Sequence, residues 1–452
     1  MRRAGRFAYA IVLGCVLAAS ACAPPKRPAA PPPAPNPNHP LTAAELDAAL
    51  AGVYAQSGAV GMVAAIVRGD QVTVRGFGRM SSNDARVPDG ATLVRLQSIS
   101  KLLNSQVMLS LAGAGKLAVT DPLQRYAPPG AVPVAKGGRP IELMDIASHT
   151  SGLPRNAAIG IVPDAAPATA ARWRWLRTQR ALVPPGTRAL YSNAGFDLLA
   201  DALQAAAGEP YPAALRRWVT GPLGMADTTP SPTPAQCARM LAFDPDGPAR
   251  PCIDNAATAG SGGVYSTAND MGAWMRRQLA ADHGGPVGQA AQTILYRREA
   301  LLSMDGFEGG GPAAGLGYAW VELIPTTDHP RLLEKTGGGG GFLTYIAIAP
   351  AERVGVFLAV DRVSHPAHIA ITGGANTLVG ALLGMTSGDA VVAAATVPPA
   401  PPAPPPPPKP APRPHAAHQH AARGHHAHPQ RAHPQRSHPH KPHHARPAPH
   451  RH

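Results

Sequence analysis

Acidic residues are missing from both ends of this 452-residue chain. Residues 1–44 hold Arg2, Arg3, Arg6, Lys26 and Arg27, and residues 401–452 hold eight Lys or Arg, with no Asp or Glu in either stretch. The formal charge of +14 therefore belongs to the tails, because the remainder sets 28 basic residues against 27 acidic ones. A nearly neutral body gives no electrostatic footprint for nucleic acid, so nucleic acid is not an expected partner. Long apolar runs are also absent: Phe7 to Ala19, 13 residues, is too short to span a bilayer, and no later stretch approaches eighteen. Cysteine is scarce, with four in all, of which Cys15 and Cys22 lie in the leader.

What the N-terminus does contain is an export pattern. Arg2, Arg3 and Arg6 precede the apolar run, and Ala19-Ser20-Ala21 offers a small-residue cleavage site before Cys22. Leu17 to Cys22 also resembles a bacterial lipobox with Ala19 in the usual Leu position, so two fates stand open for residues 1–22: lipid attachment at Cys22 or simple signal cleavage. Either places the mature protein in the periplasm, free or tethered. Cys237 and Cys252 are then the remaining thiols; in an oxidising compartment they can close a loop worth about 3 kcal/mol, the alternative being two buried free thiols.

Residues 23–40 are proline-rich and read as a semi-rigid spacer. From 391 onward the chain turns to proline, alanine and histidine, with thirteen of its nineteen histidines between His415 and His452. Such a tail cannot offset its conformational entropy by burial and is expected to be disordered, with adventitious affinity for divalent Zn, Ni or Cu and no metal-dependent function. No cofactor is expected. The body is residues 41–390.

Within it, Thr42-Ala43-Ala44-Glu45 is a capping box before Leu46, Leu50 and Val53 at helical spacing. Gly61 to Val67 and Val72 to Phe77 read as a hairpin turning at Gly69-Asp70. Helical patterns cover Ser98 to Ala112, Phe196 to Ala206, Met271 to Leu279 and Ile369 to Leu383; strand-like runs cover Gly317 to Leu323, Phe342 to Ala349 and Val354 to Asp361. With strands at both ends and helices between, the expected fold is α+β: one antiparallel sheet built from both termini, flanked by helices, plus a mainly helical lobe.

Three short motifs carry chemistry. Ser98 and Lys101 stand three apart, so they share a face if Ser98 opens its helix, where free amides and the positive end of the dipole favour a nucleophile. Taken singly that is also a capped helix with a surface lysine. Tyr191 and Asn193 flank Ser192 on a loop before an apolar helix and can enter one cleft together; Tyr191 would serve as base or acid if nearby cations lower its pKa, the plainer view being a helix entry capped by Asn193. Lys335-Thr336-Gly337 precedes the strand at Phe342 and belongs at a sheet edge, with Lys335 and Thr336 suited to a carboxylate, Gly337 and Gly338 admitting substrate backbone, and the amides of Ser98 and Gly338 as oxyanion donors.

In this order, at separations of 93 and 144 residues, the motifs resemble the penicillin-recognising serine hydrolases, a β-lactamase/transpeptidase-like fold. Tyr191-Ser192-Asn193 is similar to the class C β-lactamase and DD-peptidase branch, as are His149-Thr150-Ser151-Gly152-Leu153-Pro154 and Gly260 to Thr267. Asp121 to Pro129, Phe196 to Leu203 and Lys335 to Phe342 bring it nearest the AmpH-type DD-carboxypeptidase/endopeptidases. The resemblance covers about residues 45 to 385. It implies an acyl-enzyme on Ser98, proton transfer by Lys101 and Tyr191, peptidoglycan peptides and β-lactams as partners, and a β-lactamase or an esterase as the alternative activities. His149 reads as a structural hydrogen-bonding residue, and His365 and His368 as surface residues.

Overall fold

The computed structural model describes residues 39–129, 139–157, 167–179, 181–242, 251–307 and 309–396. The leader, Cys22, most of the proline-rich spacer and the histidine-rich tail lie outside the described residues. Thr42 caps the first helix, α1 (Ala43–Ser57), in a complete capping box with Glu45. The hairpin follows as β1 (Gly61–Arg68) and β2 (Gln71–Gly78), in register from Gly61↔Gly78 to Arg68↔Gln71. Gly69 takes the turn at φ 59°.

Helices fill the middle of the chain: α2 (Ser100–Gly113), α3 (Pro167–Thr178), α4 (Asn193–Ala207) and α5 (Ala268–Gln278). Six strands return to the first sheet: β3 (Ile294–Arg297), β4 (Ala313–Gly317), β5 (Val321–Leu323), β6 (Leu332–Gly339), β7 (Phe342–Ala349) and β8 (Val354–Val360). Then come α6 (His365–Leu382) and α7 (Gly388–Ala394), so the helical body runs four residues past the expected boundary at 390. Val391 and Ala395 are buried, which is why the chain stays ordered there.

The eight strands form one antiparallel sheet in the order β2-β1-β8-β7-β6-β5-β4-β3. Its first and last strands in chain order, β1 and β8, therefore pair side by side within it, with Met62 opposite Val360 and Arg68 opposite Val354. Alternation explains why β1 and β8 read as unbroken apolar runs. Met62, Ala64, Ile66, Val356 and Leu358 pack with α1, α6 and α7, whereas Val63, Ala65, Val67, Phe357 and Ala359 pack with α2, α4 and α5. The sheet is thus a central layer between the terminal helices and the helical lobe, as the α+β pattern anticipated.

One strand differs from the sequence reading. The run Gly317 to Leu323 is two strands, β4 and β5, joined by a tight turn at Tyr318-Ala319-Trp320. Ala319 takes φ 66° and donates its amide to Ala147 O at 2.7 Å, while Tyr318 and Trp320 are buried in the lobe-side core. A turn made of buried apolar residues carries none of the polar punctuation by which turns are read.

Candidate active site

Ser98 lies in a single 3₁₀ turn, Gln97–Ile99, that leads directly into α2, so it stands two residues before the α-helix and not within its first turn. Neighbouring strands hold it there. The Gln97 side chain donates to Gly339 O at 2.6 Å, Thr344 Oγ1 donates to Leu96 O at 2.8 Å, and the amide of Leu96 donates to Val264 O at 2.9 Å. Gln97 itself adopts φ 52°, uncommon for a side-chain-bearing residue and over-determined here by those bonds.

Lys101 is fully buried and points back along the helix to Ser98. Its Nζ donates to Ser98 Oγ at 3.1 Å, to Asn193 Oδ1 at 2.8 Å and to Ser261 O at 2.5 Å. Burial holds its pKa below the ordinary lysine value; Lys335 pushes the same way and Tyr191 opposes. The Ser261 loop is fixed in turn, since the Ser261 amide donates to Asp197 Oδ1 at 3.0 Å. Burial raises Asp197 to about 6 against the pull of Arg172 and Lys101.

Ser192, not Asn193, caps α4: its hydroxyl accepts from the Gly195 amide and donates to Pro154 O. With Ser192 turned away, Tyr191 lines the cleft, while Asn193, which is not part of its lining, accepts from Lys101 Nζ through Oδ1. Three cations surround the Tyr191 ring, with Lys101 Nζ at 4.9 Å, Lys335 Nζ at 4.8 Å and the Arg155 guanidinium carbon at 4.9 Å from its centroid. Burial alone would raise the phenol, but Lys101 and Lys335, with hydrogen bonds to Ser98 and Lys101, bring it down to about 7. A phenol half ionised at neutral pH beside a serine hydroxyl is suited to accept and return a proton.

The opposite wall is β6. It lies inside the sheet by strand order, yet β5 pairs only with Leu332 to Glu334, leaving the Lys335 to Gly339 half without a strand on that side among the described residues. Gly337 serves a different approach from the one its sequence suggested. A Cβ there would lie 2.3 Å from Thr344 Oγ1 and 2.5 Å from Leu96 O, so the glycine lets the nucleophile's own turn close on the strand. Gly338 is open except for Leu343 Cδ1 at 3.3 Å. Ser98, Tyr191, Lys335, Thr336 and Gly338 thus line one cleft of about 280 Å³.

Several of its residues carried no legible sequence signal. Arg155, Phe307, Glu334 and His368 also line the cleft. His365 is exposed as expected, but His368 is turned inward, its Nε2 2.8 Å from Gly309 O. His149 is buried with its Nδ1 accepting from the Ser192 amide at 3.1 Å. Away from the cleft, Cys237 and Cys252 are joined in a disulfide. A larger cavity of about 640 Å³ near Arg216, Thr220 and Met225 contains none of the motif residues. Among the described residues no group of three or more His, Cys, Asp or Glu is placed to hold a metal, and no helix is long and apolar enough to cross a membrane.

The comparisons agree with this geometry. A family model described as Beta-lactamase matches residues 46–378. The chain is 39% identical over 337 residues to the D-alanyl-D-alanine-carboxypeptidase/endopeptidase AmpH of Escherichia coli, spanning 74% of this chain and 87% of that protein. A crystal structure of a beta-lactamase/D-alanine carboxypeptidase from Yersinia pestis, complexed with citrate, superposes with a TM-score of 0.70 at 41% identity, covering 75% of this chain and 98% of that one. The octameric penicillin-binding protein homologue from Pyrococcus abyssi shares the fold at a TM-score of 0.63 and 18% identity, over 77% of this chain and 79% of that one. Sheet topology, motif order and sequence identity converge: the chain belongs to the Beta-lactamase family of serine hydrolases.

Proposed function

We propose that this protein is a periplasmic, penicillin-binding serine DD-carboxypeptidase and DD-endopeptidase acting on peptidoglycan peptides through an acyl-enzyme on Ser98. The observation that carries the reading is that Ser98, Tyr191, Lys335 and Thr336 line one cleft, with the buried Lys101 Nζ on Ser98 Oγ and the Tyr191 phenol brought down to about 7. Similarity to AmpH over most of both chains supports the substrate class. The leader supports export, with Cys22 as the point of lipid attachment or of simple cleavage.

Tyr191, as phenolate, takes the proton of Ser98 while Oγ bonds to the carbonyl carbon of a D-alanyl peptide bond. Lys101, hydrogen-bonded to both groups, stabilises the phenolate and relays the proton. The amides of Ser98 and Gly338 receive the oxyanion. The C–N bond then breaks, the leaving amine takes the proton back, and water attacks the ester by the same route in reverse. Lys335 and Thr336 hold the carboxylate of the leaving residue, or that of a β-lactam. Asn193, fixed by Lys101 and by Asn156 Oδ1 at 2.9 Å, is placed to bind the acyl side.

The test is to label the purified protein with a fluorescent penicillin beside Ser98→Ala, then to follow D-alanine release from pentapeptide muropeptides and nitrocefin hydrolysis in parallel. Labelling lost in Ser98→Ala, with D-alanine released faster than nitrocefin turns over, is expected. Rapid nitrocefin hydrolysis with muropeptides intact would instead assign a class C-type β-lactamase, and ester turnover with neither would assign an esterase.

A further inference from the structure

Glu334 precedes Lys335 on β6 and is two residues from Thr336, so the two side chains leave the strand on the same face. It borders the cleft yet is only 2% exposed. Among the described residues its carboxylate has no ion-pair partner within salt-bridge distance, and its hydrogen bond comes from the Thr336 hydroxyl, Oγ1 to Oε2 at 3.3 Å. Other donors close by are engaged elsewhere. Tyr345 Oη donates to Asn376 Oδ1 at 2.7 Å, Asn376 Nδ2 donates to Gly310 O at 2.7 Å, and His368 Nε2 lies against Gly309 O. The glycine backbone closes over the carboxyl so tightly that a Cβ on Gly310 would be 3.0 Å from Glu334 Cδ. A buried, unpaired carboxyl therefore sits directly behind the hydroxyl expected to hold a substrate carboxylate, an arrangement that favours its neutral form.

We propose that Glu334 gates the carboxylate subsite: ionised, it holds the Thr336 hydroxyl proton and repels an incoming carboxylate, and protonated, it releases Thr336 to donate to the substrate. This deepens the proposed function and rests on its assignment of Lys335 and Thr336 to the substrate carboxylate. Burial lifts Glu334 to about 7, with the Lys335 ammonium and the Thr336 bond opposing. The other groups that face it keep one charge state above pH 7. His368, on α6, is held below its ordinary 6.5 by burial, and Tyr345, on β7, well above 10 by burial. Binding of carboxylate-bearing substrates should weaken about tenfold from pH 6 to pH 8, the loss of one proton with a midpoint near 7. Tyr191 titrates in the same range with the opposite effect on rate, so such substrates should show a bell-shaped profile where neutral esters show a rise.

The experiment measures kcat and KM of the full chain from pH 5.5 to 9 for a D-alanyl-D-alanine-terminated peptide and for a neutral p-nitrophenyl ester. The ratio of the two kcat/KM values cancels the shared Tyr191 titration. In the native protein the ratio should fall about tenfold from pH 6 to 8, carried by KM; in Glu334→Gln, which mimics the neutral acid, it should be flat and high, and in Thr336→Val low throughout with a shallower fall, since only the repulsion remains. A flat native ratio, or a Glu334→Gln ratio that falls like the native one, overturns the gate; if Glu334→Gln does not fold, the native and Thr336→Val ratios decide. Should esters turn over on Ser98 while no D-alanine is released, the peptidase reading fails separately, and acylation by benzylpenicillin, which bears the carboxylate, replaces the peptide in the same ratio.

Discussion

The imidazole of His149 lies against the ring of Tyr191, centroids 4.3 Å apart and planes 22° from parallel. Burial first, and then the charges of Lys335, Lys101 and Arg155, hold His149 well below its ordinary pKa, so it is neutral in the folded protein. The unfolded chain, whose histidines titrate near 6.5, binds a proton there that the native state refuses. Below pH 6.5 the unfolded state therefore gains protons and stability falls, by up to about 1.4 kcal/mol per pH unit for this one residue. Urea unfolding between pH 5 and 8 should show that decline, and His149→Phe, which keeps a ring against Tyr191, should reduce the slope by close to one proton. An unchanged slope would mean that His149 is protonated in the fold.

Tyr191 makes the complementary prediction for rate. With its phenol near 7, kcat/KM for a neutral ester should rise with pH through about 7 and level off, because the base is the ionised form. Tyr191→Phe should lower kcat/KM by roughly 10² to 10⁴ and remove the rising limb. A rise through 7 that persists in Tyr191→Phe would assign the titration to another group, Lys101 being next in line.

Two adjacent glycines should answer differently to the same substitution. In Gly337→Ala the new methyl meets the Leu96 carbonyl at 2.5 Å, and that carbonyl belongs to the turn carrying Ser98. Relief requires the turn to move by several tenths of an ångström or more, and displacement of reacting groups on that scale costs up to about 10²-fold in rate. Gly338→Ala meets only the end of the Leu343 side chain at 3.3 Å and should label with penicillin within a few-fold of the native rate. Second-order labelling rates for the pair test this, and equal rates would show that β6 does not set the position of Ser98.

The parts of this site that were legible in the sequence are those that depend on local geometry. Ser98 and Lys101 meet because three residues make nearly one helical turn, and Tyr191 and Asn193 both reach Lys101 because the Ser192 between them turns away to cap its helix. The apolar runs of β1, β7 and β8 were legible as strands, and their burial on both faces appears only once helices cover the sheet on either side. What was hidden depends on tertiary approach. Ser261 holds Lys101 through a backbone carbonyl, which has no side-chain signature. Glu334 reads as an ordinary charged residue until β7, α6 and the 309–310 backbone cover it. Arg155 reaches the Tyr191 ring only because the amides of Asn193 and Ala194 donate to its carbonyl and draw the two loops together. Gly337 suggested room for a substrate and instead makes room for Leu96.

The helical lobe is braced by a buried ion pair. Arg172 of α3 and Asp201 of α4 have side chains 6% and 7% exposed and meet through two hydrogen bonds, Nη2 to Oδ1 at 2.6 Å and Nε to Oδ2 at 3.0 Å. Thr169 Oγ1 adds a third bond to Asp201, and Arg172 Nη1 donates to Ala257 O at 2.6 Å, in the loop that leads to Ser261. Arg172→Ala would strand the Asp201 carboxyl out of water and should cost about 3–5 kcal/mol in urea unfolding. Arg172→Met with Asp201→Leu removes both charges while keeping volume and should recover several kcal/mol of that loss. Penicillin labelling should recover less than stability, because a thioether in place of the guanidinium cannot donate to Ala257 O and the loop that places Ser261 against Lys101 stays loosened. A double variant no more stable than Arg172→Ala alone would show that the lobe depends on the pair's hydrogen bonds and not on relief of a buried charge.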